Sequence, residues 1–345
     1  MVAIVGFDAP AIFEFAYLKR DTIMKLALLA TWCCATLAVC PPAAAQTYPG
    51  KVIQVIVPMQ AGSAGDVTVR ILAQKIATSI GQSLVVENVA GAAGSIGAER
   101  LARAPADGYT IGAMGDSMLT QVPHLQARIN YDPLTSFEPV GVVASVTMVL
   151  VVHPAVAAAN LGELAALAKA RPGTLDYASA GIGSPQHVGM ELFKDLTGAA
   201  LTHVPFRGAA QAALDVVSGR IPVMLTALSV ALPFVRDGRL RALAVASKQR
   251  SALLPAVPTA VESGLPGYEF TPWVAIYAPK GTPGAIIDRL NRETGLALAD
   301  PSVRDRLLAL GLEPETSTPG ELAVRLKTDH ARMGKLIKEV GLKSE

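Results

Sequence analysis

The sequence predicts an α/β chain folded as two doubly wound lobes, and three observations carry that prediction. Strand-like and helix-like runs alternate from residue 52 almost to the C-terminus, the pattern of parallel sheets covered by helices. The chain has 345 residues, more than one hydrophobic core usually holds. No Pro/Gly/Ser-rich linker or fixed-period repeat divides it, so the chain is expected to pass between its lobes more than once.

The strands are expected at 52–57, 84–87, 110–113, 140–144, 148–152, 175–179, 203–206, 223–225, 243–246 and 274–278. Most are short β-branched runs, the mark of strands buried on both faces. Helices are expected at 66–80, 95–103, 161–170, 185–196, 209–218, 231–236, 283–298, 303–310 and 321–340. Several ends have local causes. Gly81, Gly198 and Gly219 follow helical runs as C-terminal stops, and Asp66 and Ser184 are suited to N-caps. Thr318-Pro319-Gly320-Glu321 reads as a capping box with proline at the first helical position. The stripe behind it is Leu322, Leu326, Met333, Leu336, Ile337 and Val340. Residues 139–162 carry no Asp, Glu, Lys or Arg, long enough to span a bilayer. The run is Val-rich and broken by Gly141, Ser145, Thr147 and His153-Pro154, so it reads as two strands.

Composition excludes several functions. With 51% hydrophobic residues the chain is no disordered protein. Thirty basic residues against 28 acidic ones leave a net charge of +2, no footprint for a phosphate backbone, so nucleic acid is not an expected partner.

The three cysteines, Cys33, Cys34 and Cys40, all lie in an N-terminal leader-like segment. Met24-Lys25 is followed by an apolar stretch, residues 26–39, and then by Ala43-Ala44-Ala45. This is the layout of a secretory signal peptide cleaved after Ala45, with Met24 as the expected start. Leu37-Ala38-Val39-Cys40 offers a competing lipoprotein site, disfavoured by the bulk of Val39. A mature chain without thiols fits the periplasm.

Catalytic motifs are scarce. There is no phosphate-loop motif, and Gly91-Ala92-Ala93-Gly94-Ser95-Ile96-Gly97 misses the dinucleotide fingerprint by one position. Gly115-Asp116-Ser117 superficially resembles an esterase nucleophile block, but no Asp has a His three residues on. The five histidines, His124, His153, His187, His203 and His330, show no metal-ligand spacing. No cofactor and no metal are expected, and the chain reads as a non-enzyme. A secreted hydrolase using Ser117 or Ser184 stays open as the alternative from another class.

What remains is a pair of polar, glycine-rich strand-to-helix turns. Residues 58–66 run Pro-Met-Gln-Ala-Gly-Ser-Ala-Gly-Asp, and residues 179–185 run Ser-Ala-Gly-Ile-Gly-Ser-Pro. Small residues let backbone N–H groups approach a ligand, and a helix N-terminus adds unpaired donors with partial positive charge. Neither turn carries Lys or Arg. They suit a carboxylate held reversibly by neutral donors; both also read as ordinary capped turns.

At these residues the chain resembles the Bug/TctC family, the extracytoplasmic solute receptors of tripartite tricarboxylate transporters. The family's P-F-x-x-G-G-x-x-D-x-x-A-R corresponds to residues 58–70, with Gly62, Asp66 and Arg70 kept, and its V-V-E-N-x-x-G-A-x-G-x-x-G to residues 85–97. Its Y-x-S-x-G-x-G-S falls on 177–184 and its V-P-Y-[KR]-G on 204–208. Gly264-Leu265-Pro266-Gly267, Trp273 and residues 278–283 follow in family order.

The resemblance implies a type II periplasmic-binding, or Venus-flytrap, fold with a ligand cleft between its lobes. One lobe would comprise 46–147 and 273–345, the other 148–272, with crossings near 144–152 and 268–277. It implies ligand contacts at Gln60, Ala61, Gly62, Ser63 and Asp66, then at Ser179, Ala180, Gly183, Ser184 and His187. Gly115, Ser117, Phe206, Gly208 and Thr226 would line the cleft. The partners implied are a small organic acid and the membrane permease subunits of a tripartite transporter, the receptor itself being a monomer. A receptor that senses its ligand without a permease is the variant reading. Three departures bear on the ligand: Ser63 replaces the second glycine of G-G, Met59 replaces an aromatic, and Leu225-Thr226 replaces F-D. Loss of that acid disfavours an ammonium group, so a carboxylate without a charged amine is expected.

Overall fold

In the computed structural model, residues 48–342 are described; the leader, its cysteines and the lipoprotein alternative lie outside them. Strand β1 (Ile53–Val57) is followed by helix α1 (Ala64–Ile80), β2 (Leu84–Asn88), α2 (Ser95–Ala102) and β3 (Thr110–Gly115). Two single-turn helices, α3 (Ser117–Thr120) and α4 (Val122–Leu125), lead to β4 (Phe137–Val146). After β5 (Met148–Val152) come α5 (Leu161–Ala170), β6 (Asp176–Ser179), α6 (Pro185–Thr197), β7 (Thr202–Pro205) and α7 (Ala209–Val217). Then follow β8 (Val223–Ala227), α8 (Leu228–Arg236), β9 (Arg241–Val245) and β10 (Trp273–Pro279). The chain ends through α9 (Gly284–Ala299), α10 (Pro301–Leu308), β11 (Leu312–Pro314) and α11 (Pro319–Glu339).

Two sheets result. The first has the order β11-β4-β10-β3-β1-β2 and the second β7-β6-β8-β5-β9. In the first, β1 pairs in parallel with β2 and β3, and β10 is antiparallel to β3 and β4. The second repeats this plan: β6 is parallel to β7 and β8, and β5 is antiparallel to β8 and β9. Each sheet therefore contains an antiparallel strand contributed by chain arriving from the other sheet, and the first has in addition β11, antiparallel to β4 at its edge. The uncharged stretch is β4 and β5, and Thr147 alone separates the two sheets there. The return passes beside it, with the Val146 N–H donating to the Pro272 carbonyl at 2.8 Å. No helix of the described residues is long and apolar enough to cross a membrane.

Capping explains the helix ends that carry the turns. Ser63, not Asp66, is the N-cap of α1; its Oγ accepts from the Asp66 N–H. Asp66 at the third helical position bonds back to the loop, the reciprocal logic of a capping box. Ser184 caps α6 with Pro185 at the first position, and Gly198 closes it in the left-handed conformation. Thr318 and Glu321 form the expected capping box of α11. Strand β11 and the short helices α3 and α4 have too few residues for a periodic signal, and sequence reading misses them. On one face of the first sheet, Trp273, Tyr277, Met114, Met118 and Leu101 pack with Leu322 of α11. Val55, Ile111, Ile276 and Leu290 fill the other.

Candidate functional site

The first turn is held by one buried carboxylate. Asp66 is 3% exposed. Its Oδ2 accepts from the Gly62 N–H at 2.9 Å, and its Oδ1 accepts from Arg70 Nε at 2.8 Å and Asn88 Nδ2 at 2.9 Å. Asn88 also donates to the Met59 carbonyl at 3.0 Å. The Gly62–Arg70 block and the end of β2 thus form one network. Three of the roughly four acceptor positions of the Asp66 carboxylate are thus spent on shaping the turn.

A third loop, between β2 and α2, closes on the first. Gly91, Ala92, Ala93 and Gly94 all have positive φ (139°, 46°, 51° and 97°), and the left-handed region costs each alanine roughly 1–2 kcal/mol. Gly97 lets α2 sit directly on the first turn. A methyl there would stand 2.7 Å from the Val89 carbonyl oxygen and 2.8 Å from Pro58 Cα.

The second turn rests on a column of aromatic rings. His187 stacks on His203 (centroids 4.0 Å apart, 12° between planes), and His203 stacks on Tyr177 (4.9 Å, 20°). The Gly183 N–H donates to His187 Nδ1 at 3.2 Å, which places the proton of the neutral ring on Nε2. Ser179 Oγ accepts from the Gly181 N–H at 3.1 Å and lies 2.6 Å from His203 Nε2. Burial, aided by Lys194, depresses His187 to about 4; burial, aided by His187, depresses His203 to about 4. Two stacked imidazoles tolerate no shared positive charge.

This column predicts a pH dependence of stability. An ordinary histidine titrates near 6.5, so between pH 6.5 and about 4 the unfolded chain binds more protons, and stability falls as pH falls. Asp116, raised to about 7 from 3.8, acts with the opposite sign over much of that range. Urea unfolding of Asp116→Asn should therefore show stability declining from pH 6.5 to 5, before carboxylates titrate. A flat profile there would contradict the neutral histidine column.

Between the two sheets the turns enclose a cavity of about 110 Å³. Of the residues expected at a site, Gln60, Ala61, Ser63, Gly115, Ser117, Ala180, Ser184 and Gly208 line it. Gly62, Asp66, Ser179, Gly183 and His187 stand behind the lining as supports. Phe206 lies off the lining, half-buried against the core of the second sheet. Thr226 is sealed in β8 with its hydroxyl unpartnered, while its neighbour Ala227 reaches the cavity. The two sides meet closely: a methyl on Gly208 would stand 2.0 Å from Gln60 Oε1, and one on Gly183 would stand 3.2 Å from Val122 Cγ2.

Sequence reasoning missed Asp116, Gln186 and Arg207, and the Ala90–Gly94 wall. Among the described residues, Asp116 and Arg207 are the only charged ones in the lining; Arg207 is exposed. Arg207 could have been read from the V-P-F-R-G block, and Asp116 from its flanking candidates Gly115 and Ser117. Serine chemistry finds little support. Ser184 Oγ is engaged as a cap with the His187 N–H at 3.3 Å. Ser179, which does meet a histidine, is 0% exposed. No cluster of three metal-ligating side chains occurs among the described residues.

Comparison with known proteins gives a consistent picture. Residues 68–342 match the family model described as the tripartite tricarboxylate transporter family receptor. The chain is 38% identical over 310 residues to Protein BugT of Bordetella pertussis, covering 90% of this chain and 95% of that one. It is 33% identical to periplasmic binding protein BugD, with a TM-score of 0.82, covering 86% of this chain and all of that one (100%). It is 32% identical to R. palustris Rpa4515 with adipate, with a TM-score of 0.84 and coverage of 86% and 100%. The two sheets and their crossings are the two-lobe fold of these binding proteins.

Proposed function

Because the chain belongs to the tripartite tricarboxylate transporter receptor family, whose members are solute receptors, we propose that it captures a small organic carboxylate in the cavity and delivers it to the permease subunits of such a transporter. The observation that carries this reading is the cavity's wall. The turns that begin α1 and α6 face it from different sheets; Ala64, Gly65 and Gln186, at the first positions of the two helices, line it with Arg207 and no lysine, and first-turn N–H groups are donors suited to reversible carboxylate binding. The adipate held by a relative of the same fold supports the ligand class.

The lobes, 46–147 with 273–345 and 148–272, would close by rotating about the paired crossings. The receptor would act as a monomer in the periplasm, exported by the leader cut after Ala45. The ligand would lack a charged amine: Thr226 offers no acid, and burial keeps Asp116 from offering a ready anion.

Thermal-shift measurements on protein refolded free of carried ligand test this. Mono-, di- and tricarboxylates, aromatic acids and amino acids form the panel. An acid at 100 times its Kd adds about 2.7 kcal/mol, several degrees of Tm. A shift confined to one class of plain acids is expected. Tighter binding of amino acids than of matched acids would refute the amine statement, and a flat panel the carboxylate statement.

A further inference from the structure

We propose that Asp116 enters the closed cavity as an un-ionised carboxyl and donates a hydrogen bond to an acceptor oxygen of the ligand, so that capturing an anion is linked to one bound proton. The inference rests on the carboxylate-binding reading above and adds the residue that reads a second polar point on the ligand.

Asp116 follows β3 directly, between the lining residues Gly115 and Ser117, and lines the cavity itself. It is 7% exposed, and its Oδ1 has no partner among the described residues. Its backbone is fixed, the N–H donating to the Trp273 carbonyl at 2.9 Å. An ionised carboxylate in this position would need a cation; Arg325, the cation that acts on it from α11, is already engaged, and Arg207, the other charged residue of the lining, is exposed to water. Arg325 of α11 pairs with Glu315 at 2.5 Å and Asp329 at 3.8 Å, over the face of Trp273. Asp329, on the same helix, accepts from Trp273 Nε1 at 2.8 Å and adds negative charge on that side. From β10 the buried Tyr277 hydroxyl, also unpartnered, has its own ionisation suppressed by burial and by Asp116. His330 of α11 is turned to the Leu119 carbonyl at 2.7 Å.

An unpaired charge in such a place costs several kcal/mol, and the group neutralises instead. Burial first, then Asp329, push Asp116 up to about 7. A bound carboxylate adds a further like charge and moves it higher, so the protonated receptor is the form that closes on an anion. The carboxyl then carries an O–H able to donate to a carboxylate, hydroxyl or keto oxygen, and an ammonium group meets no anion there. Gln186, 7% exposed on the opposite wall, has an unpartnered Oε1 as well. The cavity thus has polar requirements beyond a single carboxylate.

Calorimetric titration of the ligand-stripped protein with adipate and with malate, both fully ionised from pH 6.5 to 8.5, tests the proposal. Running each titration in two buffers of different ionisation enthalpy counts the protons taken up. For the wild type, Kd should rise about tenfold per pH unit above about 7, with up to one proton taken up on binding at pH 8. Asp116→Asn, which keeps a donor but cannot titrate, should show a pH-independent Kd and no proton uptake. Asp116→Leu should bind at least about tenfold more weakly at every pH. A pH-independent wild-type Kd, a pH-dependent Asp116→Asn, or an Asp116→Leu that binds like the wild type overturns the inference. Absence of binding by both acids and by the whole acid panel removes the carboxylate reading, and the inference falls with it.

Discussion

Replacing Asp66 with alanine should cost the chain about 1–3 kcal/mol of stability, the range seen when the acceptor of a partly buried hydrogen-bond network is removed. The carboxylate is 3% exposed and accepts from Gly62, Arg70 and Asn88 together. Alanine leaves the half-buried Asn88 amide and the exposed Gly62 N–H without their acceptor; the first carries most of the loss, since water can serve the second. The Arg70 pair adds little, since Arg70 is 47% exposed and water screens it. Asp66→Asn should recover part of the loss, because its amide oxygen still accepts while the charge is gone. Urea unfolding measures both. A cost below about 1 kcal/mol for Asp66→Ala would mean that the network does not hold the turn.

Gly97→Ala should destabilise by about 1–3 kcal/mol, the cost of forcing a backbone shift in a packed interior, despite a helix-propensity gain of up to about 1 kcal/mol. The obstacles, the Val89 carbonyl and Pro58 Cα, are main-chain atoms that cannot swing aside. Gly295→Ala is the control. Gly295 lies inside α9 with nothing within 4 Å of an added methyl, so the same substitution should stabilise by about 0.4–1 kcal/mol. Opposite signs in thermal unfolding are expected. Because Pro58 begins the first turn, Gly97→Ala should also weaken acid binding. Equal effects of the two substitutions would show that helix propensity, not close approach, governs position 97.

Much of this architecture is legible in the chain because its causes are local. The β-branched runs at β1, β5 and β8 make strands, and the caps at Ser184 and Thr318 start helices where their side chains allow. The polar turns announce themselves by composition between a strand and a helix. What stayed hidden depends on contacts between distant residues. Asp66 reads as a cap or a ligand contact until Asn88 and Gly62 are brought to it. The abutment of Gln60 on Gly208, and of Val122 on Gly183, joins positions in different sheets that no periodicity relates. The environment of Asp116 is set by Asp329 and Arg325 of α11, more than 200 residues away. The motif around Gly97 was visible, but its spacing gives no hint that the last glycine meets Pro58.

The central claim is that oriented neutral donors at the turns of α1 and α6 hold a ligand's carboxylate. Its most direct test is calorimetric titration with the panel acid of highest affinity and with the same molecule carrying a carboxamide in place of one carboxylate. Charge-assisted bonds are roughly twice as strong as neutral ones, so the amide should bind at least about tenfold more weakly. Equal affinities for acid and amide would contradict the account.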